Sequence, residues 1–157
     1  MNLKTLREEQ YRLLTQRIAA IGRIRHGLHY TLNHLVFPIE TTECLGDAQL
    51  EALSAFNERF GKLQDVIAAT MKQTTLLSGA DGETFPQVLS FMSKCGVIED
   101  VEAWKSLRML RNIGAHEYDI DPIRQADYFA SLMQELPGME AIADSLIKFC
   151  KDQLKPP

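Results

Sequence analysis

The sequence predicts an all-α protein, an antiparallel helical bundle of two long helices with shorter helices packed on them, in a single domain covering residues 1–157. Three observations carry that expectation. Apolar residues recur at steps of three and four over two long stretches, the spacing that gives a helix one buried stripe. No stretch alternates apolar and polar residues as a half-buried strand would. Helix-start and helix-stop residues divide the remainder into short segments. Composition agrees: 45% apolar and 24% charged residues exclude the disordered and collagen-like classes. No apolar run approaches the ~20 residues of a membrane span, and the first residues lack the apolar core of a secretory signal. Cys44, Cys95 and Cys150 stand in no metal-binding or redox spacing, so they read as idle or buried thiols in a reducing cytoplasm.

The first helix is expected over residues 3–36, with Leu6, Leu13, Leu14, Ile18, Ile21, Leu28, Leu32 and Leu35 near helical spacing. Gly22 and Gly27 each cost it ~1 kcal/mol relative to Ala, which suggests a kink or a close helix contact. Pro38 is expected to end it. The net charge of −4 hides an asymmetry, because residues 1–37 carry six Lys or Arg against two Glu, whereas residues 38–100 carry four basic residues against ten acidic ones. A basic first helix can attract a phosphate backbone, although a solvated helix face is the plainer reading.

Asp47 is the expected N-cap of a second helix over about 48–77. There Leu50, Leu53, Phe56, Phe60, Leu63, Ile67 and Met71 give the strongest periodic signal in the chain. Residues 78–82 (Ser-Gly-Ala-Asp-Gly) read as a turn. Thr84-Phe85-Pro86-Gln87 fits a capping box opening a short third helix that stops at Gly96. Asp100 opens a fourth helix whose stripe includes Trp104, read as core or dimer interface, and Leu107. Arg111 follows Trp104 by seven residues, within about 20° of the same direction, so a guanidinium falls on the line of the buried stripe and needs a partner, a phosphate or a subunit interface. Asp121-Pro122 starts a fifth helix; Pro137-Gly138 is expected to break it, and a sixth runs to about Leu154.

The chemistry concentrates where the fourth helix ends. Arg111, Asn112, His116 and Tyr118, with Asp119 following, place a guanidinium, an amide, an imidazole and a phenol within eight residues. Arg and His at this separation alone are a weak signal. Asn directly after the Arg and Tyr two residues past the His make a chance match much rarer. Five residues of ideal helix turn the side chain by about 140°, so Arg111 and His116 share a face only if the helix loosens at Gly114, or if the Arg of one chain works beside the His of another. The remaining histidines, His26, His29 and His34, lie on the first helix without carboxylates in ligand spacing and read as surface or interface residues rather than metal ligands.

This R-N-x-x-x-H-x-Y pattern (Arg-x4-His-x-Tyr), preceded by such a helix, resembles the HEPN superfamily, and more narrowly the HepT toxins that pair with minimal nucleotidyltransferase antitoxins. The resemblance covers most of the chain in helix order and length, but residue by residue it is secure only at Arg111, Asn112, His116 and Tyr118. It implies an all-α cytoplasmic homodimer that cleaves RNA without a metal or other cofactor at a cleft between its two copies. Arg111, Asn112 and His116 would be the catalytic residues, and Tyr118 would be adenylylated by the partner nucleotidyltransferase to silence the nuclease. The residue types suit that chemistry: an imidazole titrating near ~6.5 serves as acid or base, and a guanidinium offers a planar fork to phosphate oxygens. A different class remains open, a non-catalytic helical subunit that binds substrate for a separate nucleotidyltransferase.

Overall fold

Among the residues that the computed structural model describes, the backbone of 2–116 and 121–156 with the side chains of all of these but 116, the chain forms five α-helices and a short 3-10 turn, with no strand. The helices are α1 (Leu3–Leu32), α2 (Asp47–Leu77), α3 (Phe85–Lys94), α4 (Val101–His116) and α5 (Pro122–Gln153), and the 3-10 turn covers Thr42–Cys44. The all-α expectation therefore holds, but three helices are long rather than two.

The strongest apolar stripe belongs to the most central element. Phe56, Phe60, Leu63, Ile67 and Met71 of α2 are fully buried, and α2 packs against each of the other four helices. Burying a side chain of that size contributes about 1.5–3 kcal/mol, so this one face commits α2 to the middle of the bundle. Pairs between helices set their directions. Gln73 of α2 donates to the Gln10 carbonyl of α1 at 2.8 Å, while Arg59 donates to the Gly27 carbonyl at 3.0 Å, so α1 and α2 run antiparallel. Asn57 pairs with Tyr128, and Thr74 with Cys150, so α2 and α5 run parallel. Arg111 reaches Asp65, and the Gly114 carbonyl reaches Asn57, which makes α4 antiparallel to α2.

Most helix ends follow local chemistry. Thr84 and Gln87 form the reciprocal capping box that opens α3. Two helices, α2 and α3, stop on a glycine with φ +74°, Gly79 and Gly96. The next amide closes each end by a long bond back, Ala80 N–H to the Thr75 carbonyl and Val97 N–H to the Met92 carbonyl. That is the left-handed helix stop that glycine adopts at no steric cost.

Three expectations need correction, and a fourth is met in one of its two forms. The first helix ends at Leu32, not at Pro38, because the Thr31 and Leu32 carbonyls accept tight bonds from His34 and Leu35, and Leu35 turns into the core. Gly46 is the N-cap of α2 and Asp47 its first residue; the Gln49 side chain satisfies the Gly46 N–H. The expected fifth and sixth helices are one. α5 runs through Pro137-Gly138 unbroken. A proline inside a helix costs about 3 kcal/mol, but Leu132, Leu136, Met139, Ala143 and Leu146, spaced on both sides of it, are all buried. Only a continuous helix presents them on one face, and their burial at about 1.5–3 kcal/mol for each large side chain outweighs the proline. Finally, α1 stays continuous through both its glycines, and only Gly27 makes a close contact, beneath the Arg59 side chain.

Several basic residues of α1 are engaged, some against other helices and one along its own exposed face. Arg17 donates to Gln73 at 2.7 Å, Arg25 pairs with Glu140 at 3.1 Å and Asp144 at 2.6 Å, and Arg12 pairs with Glu9 of its own helix. The Asp144 carboxylate, with Glu140 behind it, holds the Arg25 guanidinium above its ordinary pKa despite some desolvation. No helix of the described residues is long and apolar enough to cross a membrane.

Candidate functional site

Three helices meet where α4 nears its end. Gly114 is buried against α2 and α5, and a Cβ built on it would overlap the Tyr128 hydroxyl and lie 2.5 Å from Asn57 Oδ1. The glycine is thus required by close approach, not by any loosening, for α4 remains helical through 114 to His116. The Asn57 amide joins the three helices: its Oδ1 accepts from the Tyr128 hydroxyl at 2.6 Å and its Nδ2 donates to the Gly114 carbonyl at 3.4 Å.

One turn earlier, Arg111 lies at the edge of the buried stripe rather than within it, its side chain 37% exposed. It meets the partner such a position demands, with Nη2 donating to Asp65 Oδ2 at 3.1 Å. Because the Asp65 side chain is itself 57% exposed, solvent screens the pair and its contribution to stability is about 0–1 kcal/mol. The stem of Arg111 passes over Gly61 of α2, whose missing side chain leaves room for it.

Arg111 and Asp65 form the wall between two open clefts. The first, about 340 Å³, is bounded by Asn57, Glu58, Gly61 and Lys62 together with that pair. Its charges cancel, since Lys62 pairs with Glu58 at 2.8 Å and lowers the Glu58 carboxyl below its ordinary pKa through that hydrogen bond. The second, about 310 Å³, is bounded by Gln64, Trp104, Arg108 and Asn112 besides the pair. Its floor is buried, with Gln64 2% and Trp104 1% exposed, and its rim is the exposed Arg108 and Asn112. Among the described residues neither Gln64 Nε2 nor Trp104 Nε1 has a hydrogen-bond partner. Leaving a buried donor unsatisfied costs about 1–3 kcal/mol.

Of the residues singled out from sequence, Arg111 and Asn112 come together at the second cleft. His116 is the last residue of α4, so positions 111 and 116 stand about 140° apart around a regular helix; the side chain of 116 lies outside the described residues, and so does Tyr118 altogether. Asp65, Asn57, Gln64, Arg108 and Tyr128 were missed. Arg108 was within reach, because Trp104, Arg108 and Arg111 follow the i, i+4, i+7 pattern of one helix face. Elsewhere, His29 Nε2 lies 2.6 Å from Glu140 and so ties α1 to α5, while His34 Nδ1 lies 2.9 Å from the Tyr30 carbonyl of α1. Among the described residues no group of three His, Cys, Asp or Glu side chains is placed to hold a metal ion.

Fold and site together define an all-α bundle with two contiguous polar clefts divided by one Arg–Asp pair. No family model, curated protein or solved structure matches the chain.

Proposed function

We propose that this protein is a metal-independent endoribonuclease of the HEPN type, most like the HepT toxins, acting in the cytoplasm as a homodimer whose partner is a minimal nucleotidyltransferase antitoxin. The observation that carries the reading is Arg111: a guanidinium at the border of two open clefts, weakly paired, on the helix that also bears Asn112 and ends at His116. An exposed ion pair worth about 0–1 kcal/mol yields readily to a phosphate that offers two oxygens to the same fork.

In this mechanism the ribose 2′-oxygen attacks the adjacent phosphorus and the 5′-oxygen leaves. The products are a 2′,3′-cyclic phosphate and a 5′-hydroxyl. One imidazole takes the 2′ proton and a second supplies a proton to the leaving oxygen, while Arg111 balances the charge of the phosphorane. Asn112 orients the phosphate or the histidine. The regular helix between 111 and 116 favours a site in which Arg111 of one protomer works beside His116 of the other. Adenylylation of Tyr118, with pyrophosphate leaving from ATP, would put a phosphate and a bulky base where RNA must bind.

The test is cleavage of labelled RNA in excess EDTA, with 2′,3′-cyclic phosphate ends in the wild type and none for Arg111→Ala or His116→Ala. Mixing those two inactive variants should leave cleavage lost, because each mixed dimer keeps a single His116 imidazole where the step uses two; cleavage restored on mixing would show that one imidazole suffices beside the partner's guanidinium. Cleavage that survives His116→Ala would overturn the reading. Intact mass after incubation with ATP and the nucleotidyltransferase should rise by one AMP, and Tyr118→Phe should stay unmodified. A second reading, a non-catalytic subunit that holds substrate for a nucleotidyltransferase, draws support from the ion pair itself, since Asp65 already gives Arg111 a structural partner. It predicts binding without cleavage.

A further inference from the structure

We propose that the cleft floored by Gln64 and Trp104 is a phosphate subsite for a single-stranded nucleic acid, adjoining the point of cleavage at Arg111 and engaged through Arg108. The inference rests on the preceding section only in taking RNA as the ligand; it does not require that RNA be cut.

The lining chooses the ligand class. Gln64 Nε2 and Trp104 Nε1 are both donors without an acceptor among the described residues, and both lie just beneath the cleft surface, so the floor must shift slightly before either can donate to a ligand. Two guanidiniums, Arg108 and Arg111, and the Asn112 amide add further donors at the rim, against the single carboxylate of Asp65. A group that only accepts hydrogen bonds and carries negative charge fits such a set, and a phosphodiester is the group of that kind repeated along a strand. Charge distinguishes the two clefts as well. In the first, Glu58 and Asp65 balance Lys62 and Arg111. The second keeps a positive excess, because Arg108 has no carboxylate partner among the described residues and instead lies over Phe85, its guanidinium carbon 5.5 Å from the ring centre. Since the two clefts share Arg111, a strand whose reacting phosphate meets Arg111 on one side runs its neighbouring phosphate toward Arg108.

The chain carries its own reporter, for Trp104 is its single tryptophan. The full-length protein is titrated with a 2′-O-methyl oligonucleotide, which cannot undergo 2′-oxygen attack, and separately with inorganic phosphate. Trp104 emission should change saturably with the oligonucleotide. Arg108→Gln, at an exposed position, should weaken binding of a fluorescein-labelled copy and flatten the dependence of log affinity on log salt by about 0.7, the loss of one phosphate contact on a single strand. Trp104→Phe keeps a ring in place and removes only the donor side; it should weaken the labelled oligonucleotide while circular dichroism stays native. Silent Trp104 emission together with an unchanged salt slope in Arg108→Gln overturns the proposal, and so does a response to inorganic phosphate alone. If RNA is never cut but the Arg108-dependent titration persists, the subsite stands and the nuclease falls. If Arg108→Gln cuts and binds like the wild type, the nuclease stands and the subsite falls.

Discussion

Replacing Gly114 by alanine tests the junction that positions the whole site. The new Cβ would overlap the Tyr128 hydroxyl and lie 2.5 Å from Asn57 Oδ1, so at least one of these side chains must move. Overpacking of this kind costs about 1–3 kcal/mol. Loss of the 2.6 Å Tyr128–Asn57 hydrogen bond adds about 0.5–1.5 kcal/mol. Alanine regains about 1 kcal/mol through its helix propensity. The balance is a destabilisation of about 0.5–3.5 kcal/mol, which at the about 2–4 °C per kcal/mol of a domain this size lowers Tm by several degrees. Thermal unfolding followed by far-ultraviolet circular dichroism reads the change. The decisive measurement is the cycle with Tyr128→Phe, which removes the hydroxyl that the methyl strikes. Gly114→Ala should then cost about 1 kcal/mol less than in the wild type, a coupling expected of residues in contact. A Gly114→Ala protein as stable as the wild type, or costs that simply add, would refute the close approach of the three helices.

Pro137 is exposed within α5, so Pro137→Ala loses little packing and restores a helical donor. After allowing for the greater freedom of the unfolded chain, Tm should rise by the equivalent of about 1–2 kcal/mol; a fall would mean that the bundle depends on a bend there. Asp65→Asn should leave Tm within about 3 °C of the wild type, because the pair it breaks is half exposed. It should also tighten binding of the 2′-O-methyl oligonucleotide by freeing Arg111, and weaker binding would rule out competition between Asp65 and phosphate. Burial raises the pKa of the Cys150 thiol in the native state. Between the unfolded and native values the native chain keeps a proton that the unfolded chain has lost, so this thiol's contribution to stability is full below about pH 8.5 and declines as pH rises above it. Iodoacetamide followed by mass spectrometry should accordingly label exposed Cys44 rapidly and Cys150 only on unfolding.

Where one helix's own periodicity decides the outcome, the sequence was a good guide. The stripe from Leu53 to Met71 reads directly as a buried face, and the Thr84–Gln87 box and the stops at Gly79 and Gly96 are short-range chemistry. Pro137 misled because proline's local cost is legible while the burial that overrides it is spread along a helix packed on distant partners. The same division runs through the site. Arg111 announced itself by standing on an apolar line, and its need for a partner followed. That the partner is Asp65 depends on α4 lying antiparallel to α2, which no spacing encodes. Gly114 was noticed for the wrong reason, since flexibility and close packing leave the same letter in the chain.

Gly61 and Gly114 sit on facing helices on the Asn57 side of the Arg111–Asp65 pair, and the first cleft is partly the volume that the side chain missing from Gly61 would have filled. Occupancy and charge are therefore separable here. An Ala at 61 would only touch the Arg111 stem at 3.8 Å, filling part of the hollow while leaving each ionised group where it stands. The molecule so offers a way to ask whether its guanidinium acts by being charged or by having an empty space beside it.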